Sequence, residues 1–169
     1  AMQQYGQAAM LELVAPGSTA FVTLLYSPTS GSCYGFAYRN RPLGRRANIL
    51  TFLSGKAAYE LQFGRMGPGC NSDIRNAAKL IREKAEELGS SGILGVNVSG
   101  RYGDSEAGLL ERETIVRAEL ERYLFEAKEM LASHRQMVQE LAEALLEKQT
   151  LLHSEIQAIC GRYRDVPAA

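Results

Sequence analysis

An excess of charge of one sign is missing from this sequence: nineteen Lys and Arg residues face nineteen Asp and Glu, for a formal net charge of zero. A polyanion-binding module normally carries a basic excess or stripe, so no nucleic-acid partner is expected. Long apolar runs are missing too. None approaches the roughly 18 residues of a membrane span, and no charged-then-apolar leader opens the chain, so no direct membrane insertion by this chain is expected. Nothing is read from Ala1, which precedes Met2. Cysteine is sparse. Cys33, Cys70 and Cys160 make neither a disulfide framework nor a CxxC pair, and a reducing, cytoplasmic setting is the expectation. Cys70 stands just before an expected helix N-terminus, where a thiolate is stabilised. With no histidine near it in sequence, it reads as a buried or idle thiol. There are only two histidines, His134 and His153, both in the helical tail, where a lone histidine reads as a packing or surface residue. The chain has no GxxxxGK[ST] phosphate loop and no GxSxG elbow.

What is present is a foldable chain: 46% of its residues are apolar, enough for a core in one domain. Gln3 to Val14 reads as a short buried helix ended by Pro16-Gly17. Thr19 to Tyr26 is β-branched and aromatic and reads as a strand. Ser27 to Ser32 is a turn by composition. Cys33 to Tyr38 reads as a second strand, able to pair with the first as a hairpin. Arg45 to Phe63 carries Ile49, Phe52, Leu53, Ala57 and Leu61 at helical spacing, with Gly64 as the residue just past its end. Gly55 inside that helix costs up to about 1 kcal/mol against alanine and so marks close packing. After a Gly67-Pro68-Gly69 loop, Asn71 or Ser72 is placed to cap a helix from Asp73 to Leu88. Asp73 then falls in its first turn, where a carboxylate favours the dipole. Ser90 to Ala107 reads as loop with an apolar patch at Ile93, Leu94, Val96 and Val98.

The last third reads as a helical hairpin or a long kinked helix. One stripe runs through Val116, Leu120, Tyr123, Leu124, Ala127, Met130 and Leu131; another through Val138, Leu141, Ala142, Leu145 and Leu146. Ser133 to Gln136 has the S-x-x-Q form of a capping box, which places a break there. Ser154 is placed to cap a final helix, Glu155 to Cys160. The stripes are core faces first and partner surfaces second. Arg39, Arg41, Arg45 and Arg46 form a basic patch, read as solvated or as a surface for an acidic partner. Tyr26, Tyr34, Phe36 and Tyr38 load the hairpin with aromatics, either for core packing or as an edge for peptide docking.

The order of these segments resembles the peptidase domain of FtsH-type ATP-dependent zinc metalloproteases. Asn48 to Gly64 (NILTFLSGKAAYELQFG) is similar to a family helix with a small-Gly-basic-Ala-Ala segment and a terminal Phe-Gly. Gly67 to Leu80 (GPGCNSDIRNAAKL) resembles the glycine loop that leads into an Asn-x-Asp-hydrophobic helix start. Glu111 to Ile159 resembles the C-terminal helices, most closely in Leu141 to Thr150 (LAEALLEKQT). Gly35 falls where the family has a glycine in its short β segment. The resemblance implies one α+β, predominantly α-helical domain over residues 2–169, with a small β hairpin and a C-terminal helical hairpin. Residues 2–103 would form the zinc-site half and residues 104–169 the C-terminal helices.

The family's zinc is held by the two histidines of an HExGH helix and a downstream aspartate, with the glutamate as general base. Histidines at i and i+4 share a helix face and reach one ion, and the glutamate takes a proton from water that zinc has acidified. The matching residues here are Gln3, Gln4, Tyr5, Gly6 and Gln7. Gln3 and Gln7 stand in the histidine positions and Gln4 in that of the base, while Asp73 falls on the ligand aspartate. Read without the resemblance, QQYGQ is a polar helix start and Asp73 a stabilising first-turn carboxylate. With it, the motif is degenerate: no catalytic residue and no bound zinc are expected. A neutral amide is a poor zinc donor and accepts no proton near neutral pH. Two functions follow. One is a pseudo-protease that serves as a structural or protein-interaction module. It would associate with itself, hexameric as in the family, or with an AAA+ ATPase module, and would lie at the cytosolic face of a membrane where the full protein carries the family's anchor. The other is an active ATP-dependent zinc metalloendopeptidase domain with a rebuilt site, for example from Asp73, Cys70 and a distant histidine.

Overall fold

The structure is a computed structural model, and it describes residues 2–27, 29, 32–65, 71–88 and 106–164. In chain order the elements are α1 (Met2–Val14), β1 (Thr19–Ser27), β2 (Ser32–Arg39), α2 (Arg45–Phe63), α3 (Asn71–Leu88), α4 (Glu106–Ser133), α5 (Arg135–Lys148), β3 (Thr150–Leu152) and α6 (His153–Gly161). The result is a mainly helical α+β domain around one small antiparallel sheet with strand order β2-β1-β3.

Alternation along the strands fixes the sheet's orientation, since successive side chains point to opposite faces. Val22, Leu24 and Leu151 are buried on the inner face, and Val22 pairs with both Ala37 and Leu151. The other face carries Phe21 stacked on Tyr38, with ring centroids 4.5 Å apart. It also carries a Thr23–Thr150 hydroxyl bond of 2.8 Å. The β1–β2 hairpin is as the sequence implies. β3 is an addition that sequence reading did not foresee. It follows Gln149, whose positive φ of 61° turns the chain out of α5, and whose carbonyl accepts the Leu24 N–H at 2.7 Å.

The helices bury most of the stripe residues their periodicity marks, although Leu61 of α2 and Leu146 of α5 stay open to solvent. α2 buries Ile49, Leu50, Leu53 and Ala57 and closes with Gly64 in the left-handed region, its N–H donating to the Glu60 carbonyl at 2.8 Å. α1 buries Ala8, Ala9, Met10 and Leu11 and packs on α2, the β hairpin and α5. α4 lies along α2 and α3, with Val116, Tyr123, Ala127 and Leu131 inward.

Three expected caps are corrected. α3 starts at Asn71, so Asn71 and Ser72 are already helical and neither sits in the extended conformation a cap needs. The break after Ser133 exists, but Ser133 is still the last residue of α4. The residue before α5 is His134, with no capping side-chain bond, and its Nδ1 lies 2.9 Å from the Met130 carbonyl. Ser154 lies inside α6. The extended residue there is Leu152, whose N–H donates to Glu155 at 2.9 Å, as the third-position carboxylate of a capping box does. The Gly67-Pro68-Gly69 loop, Cys70, the patch from Ile93 to Val98, most of the expected turn after Ser27, and the side chains of Tyr26, Cys33, Tyr34 and Phe36 lie outside the described residues.

Candidate functional site

Residues 3–7 form the first turns of α1, where Gln3 and Gln7, four apart, share a face. Glycines let this segment sit close to its neighbours. A Cβ at Gly6 would lie 2.8 Å from Ala58 Cβ and 2.9 Å from the Ser54 carbonyl oxygen, so the backbones of α1 and α2 touch there. A Cβ at Gly55 would lie 3.1 Å from Gln3 Cβ, the close packing that a mid-helix glycine suggested. At Gly35 on β2 a Cβ would meet Gln4 Cγ at 2.2 Å. Gln4 occupies the space a side chain on β2 would need.

Gln4 is buried. Its Nε2 donates to the Gly35 carbonyl at 3.3 Å, while its Oε1 is shielded and makes no hydrogen bond among the described residues. Gln7 Nε2 donates to Asp73 Oδ2 at 3.1 Å, joining α1 to the first turn of α3 across 66 positions of sequence. Burial pushes the Asp73 carboxyl above its ordinary range, and the Gln7 hydrogen bond opposes that rise only in part. The structure therefore brings Gln7 and Asp73 into contact and seats Gln4 against β2.

Beside Gln7 a cleft of about 280 Å³ opens between α1, β2 and α2, lined by Leu11, Tyr38, Arg39, Asn48 and Phe52 among others. Tyr38 stands at its rim, half exposed. Much of the basic patch next to it is spent on the chain's own oxygens. Arg39 bonds the Asn48 side chain, Arg41 the Pro16 carbonyl at 3.2 Å, and Arg46 pairs with Glu126 of α4.

The remaining candidate ligands lie elsewhere. His134 faces the Met130 carbonyl, and His153 Nδ1 is 2.8 Å from the Thr19 carbonyl. Cys160 is buried in α6, where desolvation first and the charge of Glu12 second push its thiol up to about 12, so it stays a neutral packing group. Among the described residues no three His, Cys, Asp or Glu side chains converge as a metal cluster would require.

Glu12 is a buried charged residue that sequence reading missed. Glu12 accepts hydrogen bonds from the N–H groups of Gly17 and Thr19 at 2.7 and 3.0 Å and from Gln157 Nε2 at 2.9 Å, with Arg164 3.5 Å away. It ties α1 to the start of β1 and to α6. Its only sequence signal was a lone carboxylate among the apolar residues of the second half of α1.

The family model of Peptidase family M41 matches residues 43–159, a span that begins after α1. Similar curated proteins include ATP-dependent zinc metalloprotease FtsH 4 of Sorangium cellulosum, 32% identical over 139 residues, which is 72% of this chain and 21% of that protein. ATP-dependent zinc metalloprotease FtsH of Thermobaculum terrenum is 31% identical over 132 residues, 69% of this chain and 20% of that protein. The protein of the same name from Mycobacterium bovis is 33% identical over 127 residues, 67% of this chain and 17% of its own length. The chain thus spans about a fifth of the length of the curated relatives it matches. No described helix is long and apolar enough to cross a membrane.

Proposed function

The chain belongs to peptidase family M41, and from that membership we propose that it is a peptidase domain that has lost its zinc centre and works by binding rather than by cleavage. The observation that carries this reading is the Gln7–Asp73 hydrogen bond. At the position of a zinc-binding imidazole stands an amide, and the Nε2 of that amide donates to the one carboxylate left from the ligand set. The donor chemistry does not fit zinc. Imidazole, thiolate and carboxylate are its usual protein ligands, and Gln3, Gln4 and Gln7 offer only neutral amides. Loss of a second-shell partner alone costs about 10–100-fold in metal affinity or activity, and here two first-shell donors are replaced. Gln4, in the place of the base, accepts no proton near neutral pH.

What is left is a packed scaffold with a cleft beside the hairpin edge. Such a cleft receives an extended peptide through main-chain pairing and side-chain pockets. In this reading the domain serves as an assembly module, associating with itself or with an ATPase module, at the cytosolic side of a membrane where the full protein is anchored. The test is hydrolysis. The purified chain, supplied with zinc, is incubated with an unfolded model protein and the fragments are resolved by mass spectrometry. No fragments beyond the no-enzyme control are expected. Chelator-sensitive fragmentation would restore the alternative, an active zinc metalloendopeptidase with a rebuilt site.

A further inference from the structure

A hydrogen bond to a neutral oxygen satisfies a guanidinium without cancelling its charge. Arg46 has a carboxylate partner in Glu126. Arg39 and Arg41 have only a side-chain amide and a backbone carbonyl, and neither is ion-paired among the described residues. Both are exposed. In a chain of zero net charge, two positive charges next to the cleft beside Gln7 are left uncompensated.

Arg39 lines that cleft. Two neutral polar side chains in the lining are already engaged. Asn48 accepts from Arg39 and donates to the Leu43 carbonyl at 2.9 Å, and Thr51 donates to the Ala47 carbonyl at 2.8 Å. Leu11 and Phe52 supply apolar wall. The cleft also meets the free edge of β2. Leu24 turns its N–H to Gln149, on the far side of β1 from β2. Its partner Gly35, and Ala37 two residues on, therefore turn their N–H and C=O away from β1. Gln4 takes the Gly35 carbonyl. Ala37 lines the cleft, and its edge-side groups have no partner among the described residues.

We propose that this cleft selects acidic segments. An extended peptide pairs with the main chain of Ala37 and seats an apolar side chain between Leu11 and Phe52. It lays an Asp or Glu side chain on Arg39, where a carboxylate gains a charge-assisted hydrogen bond, and Arg41 adds to the field. Because Gln4 closes the edge at Gly35, main-chain pairing is short, and side-chain charge decides what binds. The proposal deepens the reading of the domain as one that binds without cleaving, and rests on it.

Fluorescence anisotropy of the whole chain with acetylated, amidated peptides carrying an uncharged dye is the test, since blocked ends leave only side chains to bear charge. One peptide has a phenylalanine flanked on both sides by glutamates; two others have glutamine or lysine in their place. The glutamate peptide is expected to bind about tenfold or more tighter than the glutamine peptide, the share of one hydrogen bond to a charged group, and the gap should narrow as salt is added. Arg39→Glu should reverse the order in favour of the lysine peptide. Arg135→Gln removes an exposed charge on α5, which contributes nothing to the cleft, and should leave the preference intact. Absence of binding, equal affinity of the unaltered chain for the glutamate and glutamine peptides, or a preference that Arg135→Gln lowers as much as Arg39→Glu would overturn the proposal. Mass spectrometry of the same mixtures keeps the two readings apart. A glutamate peptide that is preferred and cleaved sinks the lost-centre reading and leaves the charge selection standing, while one neither bound nor cleaved does the reverse.

Discussion

At Glu12 a carboxylate with 1% of its side chain exposed is held by donors from three segments. Burial pushes its pKa up, but the hydrogen bonds from Gly17, Gln157 and Thr19 outweigh that and leave it below the ordinary 4.5. A depressed folded pKa stabilises the fold fully above the unfolded value and is lost as pH falls through the folded one. Glu12→Gln turns an N–H donor toward the N–H groups of Gly17 or Thr19, and should cost about 1–3 kcal/mol near neutral pH. In urea unfolding the gap between the variant and the parent should narrow on acidification below 4.5, because only the parent has a carboxylate to protonate. Asp73 has the opposite sign. Its folded pKa is raised, so ionisation works against the fold at neutral pH. Asp73→Asn keeps an acceptor for Gln7 and removes that charge, and is expected to leave stability unchanged or raise it by up to about 1 kcal/mol, with zinc or chelator making no difference. A metal-dependent loss of stability would contradict this. Only part of this chemistry was legible. The sequence places Asp73 in a first helical turn and QQYGQ at a helix start. That Gln7 meets Asp73, and that Gln4 occupies the space over Gly35, are contacts across 66 and 31 positions that no local pattern encodes.

Among the elements, α1 is positioned by how closely it approaches α2. Gly6→Ala would place a Cβ 2.9 Å from the Ser54 carbonyl, a backbone atom that moves only if the helix moves. The strain of about 1–3 kcal/mol should exceed the roughly 1 kcal/mol gained in helix propensity, so a lowered urea midpoint is expected. Gly55→Ala meets Gln3 at 3.1 Å and should be milder. If Gly6→Ala were as stable as the parent, the helices would not be in contact there. Element boundaries were legible where two signals coincide. Arg45–Phe63 has both an apolar period and a terminal Gly64, and the structure returns the same span. Caps were misread because a Ser or Asn marks a helix start only when its backbone is extended, and the residues here are already helical. β3 escaped notice because three residues between two helices, with a left-handed Gln149 in place of a glycine, carry no turn signal; its pairing partner β1 lies at the other end of the chain.

Taken whole, the molecule has the mainly helical frame of an M41 domain, and in the proposed reading the family's motif positions carry amides. Hydrophobic burial explains how both persist. Ala8, Ala9, Met10 and Leu11 hold α1 in the core by apolar burial, which needs no metal, so in the proposed reading a metal centre is lost without loss of the scaffold. That scaffold was largely readable, since amphipathic stripes and glycine punctuation recur along its length. The exposure of Leu61 and Leu146 was not, because both read as stripe residues from their spacing alone. The most direct measurement is zinc per chain, by elemental analysis after incubation with excess zinc and desalting. The expected result is far less than one zinc per chain, unchanged by Asp73→Ala. One tightly held zinc per chain that disappears on Asp73→Ala would contradict the account.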